Sequence, residues 1–118
     1  MISAHYPPEN VPVSVQTRQF AQGLRDRSFD VRVLTAAVPG LGESSPFVER
    51  LLPETIRERL AYGLGDSITY ALRSGEYATW FEFAAVRRAA KVLLQGDISV
   101  LLTVSCPFSC HRAGLKLK

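Results

Sequence analysis

Apolar positions along the chain change period several times, and each change marks an element. Residues 98–104 (Ile-Ser-Val-Leu-Leu-Thr-Val) form a nearly unbroken apolar, β-branched run of strand length. Such a run suits a strand buried on both faces, as in a parallel sheet. Residues 30–36 (Asp-Val-Arg-Val-Leu-Thr-Ala) read as a second strand, and residues 1–4 as the stub of a first. Between these two, Thr17, Phe20, Ala21 and Leu24 recur at helical spacing, with Arg18, Gln22 and Arg25 on the wet face. Ser14 is placed to cap this helix, which runs to about Arg27. Strand, loop, helix and strand make a βαβ unit with a right-handed crossover.

The second half reads in the same way. Residues 37–45 are a Gly/Ser/Pro loop, and residues 47–74 look helical with interruptions at Pro53, Gly63 and Gly65. Thr79-Trp80-Phe81-Glu82 has the form of a capping box. The helix it opens carries Phe83, Val86, Ala90, Leu93 and Leu94 along one stripe and stops at Gly96. After the strand at 98–104, residues 105–108 form a proline-containing turn, and Ser109 caps a helix from Cys110 onward. The pattern predicts one α/β domain over residues 1–118, with parallel strands near 1–4, 30–36 and 98–104 and helices on both faces. Such a sheet has open edges, so the chain is expected to be of marginal stability.

In open α/β sheets ligands sit in the crevice at the carboxyl ends of the strands. A helix N-terminus there favours an anionic or hydroxyl-rich ligand. His111, one turn into the last helix, is the strong acid–base group of that segment. Ser105 and Ser109 are turn and cap residues whose neighbouring N–H groups also face such a ligand. His5 stands at the carboxyl end of the first strand and reads as a solvated side chain.

Composition narrows the choice. With 118 residues, 47% hydrophobic and 21% charged, the chain is an ordinary globular domain. A net charge of +3 permits phosphate-bearing substrates or an anionic membrane surface, but falls well short of a nucleic-acid-binding excess. Residues 1–15 lack the basic and apolar regions of a signal peptide, and no window has the length of a membrane span. A cytoplasmic protein with reduced thiols is therefore expected. Cys106, Cys110 and His111 do not make a zinc site, because four ligands are needed and adjacent helical residues point apart. The absence of Gly-x-Ser-x-Gly and Gly-x-Gly-x-x-Gly argues against a serine hydrolase and a nicotinamide-binding domain.

Two remote stretches carry a resemblance. Ser105, Pro107, Ser109, His111, Gly114, Leu115 and Lys118 match the places of a strand, Ser-Pro-Pro-x-Ser-x-His turn and Leu-rich helix. That segment belongs to family 4 glycosyltransferases, the retaining GT-B type. Cys106 replaces the first proline and Arg112 a usual leucine. Tyr6-Pro7-Pro8-Glu9 and residues 27–35 (Arg-Ser-Phe-Asp-Val-Arg-Val-Leu-Thr) resemble the family's first loop and second strand. Ser28 stands where the family has glycine, and Asn10, Val11 and Pro12 where it often carries glycines. Trp80 fits the tryptophan-led helix before the family's Ser-Pro-Pro strand. Residues 37–78 match nothing.

The resemblance implies a Rossmann-like three-layer α/β/α arrangement with a parallel sheet: part of the N-terminal, acceptor-side domain of a GT-B enzyme. It implies sugar transfer from a nucleotide-sugar donor to a glycan or lipid-linked acceptor, in polysaccharide or cell-envelope biosynthesis. His111 would be catalytic, and Ser105, Ser109, Pro8 and Glu9 would bind substrate. No metal or other cofactor is expected. The nucleotide sugar would be a co-substrate held mainly by a C-terminal domain outside this sequence, leaving the chain inactive by itself. Contact with the inner face of the membrane fits such a role, and nucleic acid does not. The competing reading is a non-catalytic α/β binding module or a degraded relative.

Overall fold

The computed structural model describes residues 1–37, 45–63, 79–96, 98–104 and 108–118. The elements are α1 (Pro12–Arg25), β1 (Val33–Ala36), β2 (Val48–Leu51), α2 (Ile56–Gly63), α3 (Thr79–Leu94) and α4 (Ser109–Lys116). No helix among the described residues is long and apolar enough to cross a membrane.

β1 and β2 pair in parallel, in register from Val33 with Val48 to Ala36 with Leu51. On the other side of β1, Ile2 bridges Leu34 in parallel, and it also bridges Thr103 in parallel. The Ser3 N–H donates to the Leu34 carbonyl at 3.0 Å, and the Val104 N–H to the Ile2 carbonyl at 3.0 Å. The segments therefore lie side by side in the order 48–51, 33–36, 1–4, 98–104. Chain order reverses between residues 1–4 and 98–104.

The parallel alignment of 1–4, 33–36 and 98–104 agrees with the pattern, but 1–4 and 98–104 are joined only by isolated bridges and form no strands, and three further details differ. Residues 48–51 form a strand, not part of a helix. This short segment pairs its whole length with β1, and Glu49 and Arg50 reach partners on other elements, Arg88 and Pro7. Tertiary pairing outweighs local preference here. The segment 98–104 is not buried on both faces, since it joins its neighbour only through the bridge from Ile2 to Thr103 and leaves Val100 79% exposed. The helix before β1 begins at Pro12, whose fixed φ and missing N–H suit a first helical position. Ser14 is inside that helix, buried, and its hydroxyl donates to the carbonyls of Val11 (2.9 Å) and Glu9.

The faces of the helices also differ from the expected stripes. α1 turns Ser14, Thr17 and Ala21 to the sheet and leaves Phe20 60% exposed. Small residues let the helix backbone come close, and the Thr17 and Ser3 hydroxyls share a hydrogen bond at 3.1 Å. α3 buries Trp80, Phe81, Ala84, Ala85, Ala89 and Val92, while Leu94 of the expected stripe is exposed. Full burial of the Phe81 ring contributes about 1.5–3 kcal/mol. Glu82 does not close a capping box. It is buried, accepts from Lys116, and lies 3.3 Å from Arg112, so it ties α3 to α4.

Two apolar clusters sandwich the sheet. Ile2, Leu34 and Leu51 face α3 and α4, with Phe81, Cys110 and Ala113 among their partners. Val33 and Val48 face Tyr6 and Ala21 on the other side. Adjacent β1 residues thus point to opposite cores, as strand geometry requires. At the end of α1, Ser28 takes the left-handed conformation (φ 64°) where the resembling family has glycine. At Gly114 the reason for glycine is space, because an added Cβ would stand 2.6 Å from Thr103 Cγ2.

Candidate functional site in the crevice at the sheet reversal

Where chain order reverses, the chain leaves residues 1–4 towards α1 on one face and residues 98–104 towards α4 on the other. In open α/β sheets a ligand crevice is expected beyond the carboxyl ends of segments that diverge in this way. The two sides are joined where the Ala4 N–H donates to Cys110 Sγ at 3.2 Å, a contact between buried residues. The loop at residues 5–9 follows the first segment, and α4 follows the other.

The loop at 5–9 is clamped along its backbone by side chains. The Ser3 hydroxyl donates to the His5 carbonyl at 2.9 Å, the Arg50 guanidinium to the Pro7 carbonyl, and the Ser14 hydroxyl to the Glu9 carbonyl. The Thr35 hydroxyl holds the Ala4 carbonyl at 3.2 Å. The Pro7–Pro8 bond is cis. Within this frame His5 Nδ1 and Glu9 Oε2 are 2.8 Å apart, with side chains 35% and 18% exposed. An ionised carboxylate only accepts hydrogen bonds, so Glu9 holds the proton on Nδ1 and leaves Nε2 with its lone pair in the neutral ring. Nε2 has no hydrogen-bond partner among the described residues.

Positive charge gathers beside this pair. Arg50 bonds the Pro7 carbonyl and lies 3.5 Å from the Ala36 carbonyl, and its Nε is buried without a partner among the described residues. Burial pushes the Tyr6 phenol up from its ordinary value, and the charges of Arg18, Arg25 and Arg50 act in the opposite direction.

Pro8 and Glu9, expected in the site, lie in this loop. Ser109 is not the cap of α4. It is the helix's first residue, fully buried, with Phe108 at the cap position, and its hydroxyl has no partner among the described residues. Ser105 lies outside the described residues, as do Cys106 and Pro107. His111 takes another direction. Its Nδ1 is 2.7 Å from the Thr103 hydroxyl, its ring lies 6.5 Å from that of Phe108, and it lines a cleft of about 520 Å³ with Ile98, Val100 and Leu115. Among the described residues no hydrogen bond or ring contact joins His111 to His5 or Glu9.

His5 and Arg50 are the residues that reading the sequence missed. A His-x-x-x-Glu spacing was the available signal for His5, but it brings side chains together only in a helix, and Pro7 and Pro8 forbid one. Arg50 sits in the strand that local pattern concealed. A separate apolar cleft of about 340 Å³ lies at the amino ends of the strands, between Phe29, Val92 and Ile98. Its charged walls include the Arg88–Glu49 pair, and it does not reach the loop at 5–9. His5 and Glu9 have metal-ligating atoms, but no group of three such residues is placed to hold an ion among the described residues.

Compared with protein-family models, with curated proteins and with solved structures, the chain gives no match in any of the three.

Proposed function

We propose that this chain is the acceptor-side, Rossmann-like part of a retaining GT-B glycosyltransferase, and that the crevice at the sheet reversal receives a sugar-bearing ligand. One observation carries the reading. The two stretches that resemble family 4 glycosyltransferases, near residues 6–9 and 105–118, are about a hundred positions apart in sequence. They follow neighbouring segments, and Ala4, just before the first, donates its N–H to Cys110 Sγ in the second. The side-by-side order 48–51, 33–36, 1–4, 98–104 is compatible with the 3-2-1-4 start of a doubly wound sheet, in which a ligand crevice is expected at the reversal.

Retaining transfer needs an acceptor hydroxyl held near the anomeric carbon and a leaving diphosphate whose charge is neutralised. Pro8 and Glu9 supply the acceptor side, with Ser109 at the start of α4 and Ser105 preceding it in the sequence. The resemblance gives His111 a catalytic role, but its ring is tied through Nδ1 to Thr103 and lines another cleft, so it stands outside this proposal. Donor recognition falls to a further domain, and no metal or organic cofactor takes part. The setting is the cytoplasmic side of an envelope-building pathway, with peripheral membrane contact through basic side chains.

The test is saturation-transfer NMR of the 118-residue chain with methyl glycosides of glucose, N-acetylglucosamine and mannose, and with uridine diphosphate alone. The proposal expects transfer to at least one glycoside and none to the bare nucleotide. Binding of no glycoside contradicts it. Binding of the nucleotide alone points to a nucleotide-binding module instead.

A further inference from the structure

The acid–base group in this crevice is the pair His5–Glu9. We propose that His5 Nε2 accepts the proton of the hydroxyl that a sugar or other vicinal diol brings to the crevice, with Glu9 as the residue that positions it. The inference rests on the reading of the crevice as a sugar site, and it adds a base that the resemblance does not supply.

Three observations converge on it. The Glu9 carboxylate lies 2.8 Å from Nδ1 and, as an acceptor, directs the lone pair of the neutral ring to Nε2. Nε2 has no partner among the described residues, and a ring 35% exposed is open to a ligand while still shielded on most of its surface. The loop carrying the pair is fixed at the carbonyls of His5, Pro7 and Glu9 by Ser3, Arg50 and Ser14. Positioning of this kind keeps a catalytic group within the narrow geometry that proton transfer needs. His111 lacks the first of these features, because its partner Thr103 carries a hydroxyl that donates or accepts and leaves the tautomer open.

In the transfer step the hydroxyl oxygen of the acceptor forms the bond to the anomeric carbon on the face from which the diphosphate departs, as retention requires. The bond from that carbon to the diphosphate oxygen breaks, and its electron pair leaves with the diphosphate. The hydroxyl proton passes to His5 Nε2, and the resulting imidazolium is stabilised through Nδ1–H by the Glu9 carboxylate. The imidazolium then returns the proton to the departing diphosphate or to water. Arg50, with its unpaired buried Nε, adds positive charge beside the loop.

The test is imidazole ¹⁵N correlation NMR on the intact chain with methyl α-glucoside as the vicinal-diol probe. His5 is expected in the Nδ1–H form, and Glu9→Gln should convert it to a mixture of tautomers. Adding the glucoside should move His5 Nε2 in step with the backbone amides of Arg50 and Cys110. His5→Gln should weaken the glucoside about tenfold, the loss of one hydrogen bond of about 1.4 kcal/mol, with an unchanged melting temperature. If the amides move and His5 does not, or if His5→Gln binds as tightly as the parent, the pair has no part in the site while the sugar reading stands. If neither amides nor imidazole move at saturating glucoside, the sugar reading fails and this inference falls with it. An Nε2–H tautomer in the parent chain overturns the assignment directly.

Discussion

The surroundings of the two histidines differ in a way their sequence contexts conceal. His111 sits on a helix pressed so closely to residues 98–104 that Gly114 has no room for a Cβ, and its ring is tied to Thr103 within that seam. His5 sits in the loop that leads into α1, clamped by its backbone, and its ring is paired with a carboxylate. The first arrangement is built by packing, so a change there is expected to be felt as stability. The second spends hydrogen bonds on holding one ring, so under the proposed function a change there is expected to be felt as binding or turnover. A motif match finds a histidine in the chain, but the partner on its other nitrogen decides what the ring can do.

The comparison breaks most visibly if the seat of α4 can be disturbed without cost. Glu82 is fully buried between α3 and α4 and is met by Lys116 and Arg112. Replacing both cations by alanine (R112A/K116A) leaves a buried carboxylate short of its main partners and should cost about 3–5 kcal/mol. Thermal melting reads this, and a variant as stable as the parent would show that the α3–α4 seam is not held by charge.

A smaller loss is expected from Gly114→Ala. The new Cβ meets the branched, stiff side chain of Thr103, and overpacking of this kind costs about 1–3 kcal/mol. The His111 imidazole signals should shift while those of His5 stay in place. Movement of both sets would mean that the two histidine regions are coupled, against the comparison.

The ion pair between α2 and α3 gives a pH signature. Burial acts to raise the Glu58 carboxyl, but the hydrogen bond and charge of Arg87, with the N–H groups of Glu54 and Thr55, outweigh it and hold the group below its ordinary value of 4.5. A depressed folded-state value stabilises the fold above the unfolded value, and that contribution is lost as pH falls through the depressed one. The urea midpoint should therefore be flat in this respect above pH 4.5 and decline below it, and Arg87→Gln should remove much of the acid-dependent part. An unchanged acid limb in that variant would remove Arg87 from the account.

The smallest effect is a gain. Ser28 holds a left-handed backbone at φ 64°, a conformation that costs a residue with a Cβ about 1 kcal/mol or more. Ser28→Gly should recover up to about 1 kcal/mol, offset by the greater freedom of glycine in the unfolded chain. A drop in melting temperature would show that the serine side chain contributes something the geometry does not explain.

β1 was legible because residues 30–36 combine apolar and β-branched character over strand length, while residues 98–104, with the same character, align in parallel through a single bridge and form no strand. β2 was not legible, since two of its four residues are charged and their partners lie on other elements. The buried face of α3 was misread for a related reason. Close approach to the sheet selects Ala84, Ala85 and Ala89, while the larger Phe83 lies under the guanidinium of Arg57 at 3.9 Å. In the site, Pro8 and Glu9 were identifiable from the resemblance, but the return of Glu9 to the His5 ring depends on a loop path that no spacing rule encodes.

The central claim is that the stretch near residues 6–9 and the start of α4 at Ser109 and Cys110 form one sugar-binding crevice. Mapping backbone amide shifts of the intact chain during a methyl glycoside titration tests it most directly. The account predicts that perturbations cluster at residues 4–9, at Arg50 and at the start of α4, and leave the apolar cleft near Phe29, Val92 and Ile98 unchanged. Perturbations confined to that apolar cleft, or to only one of the two stretches, would contradict it.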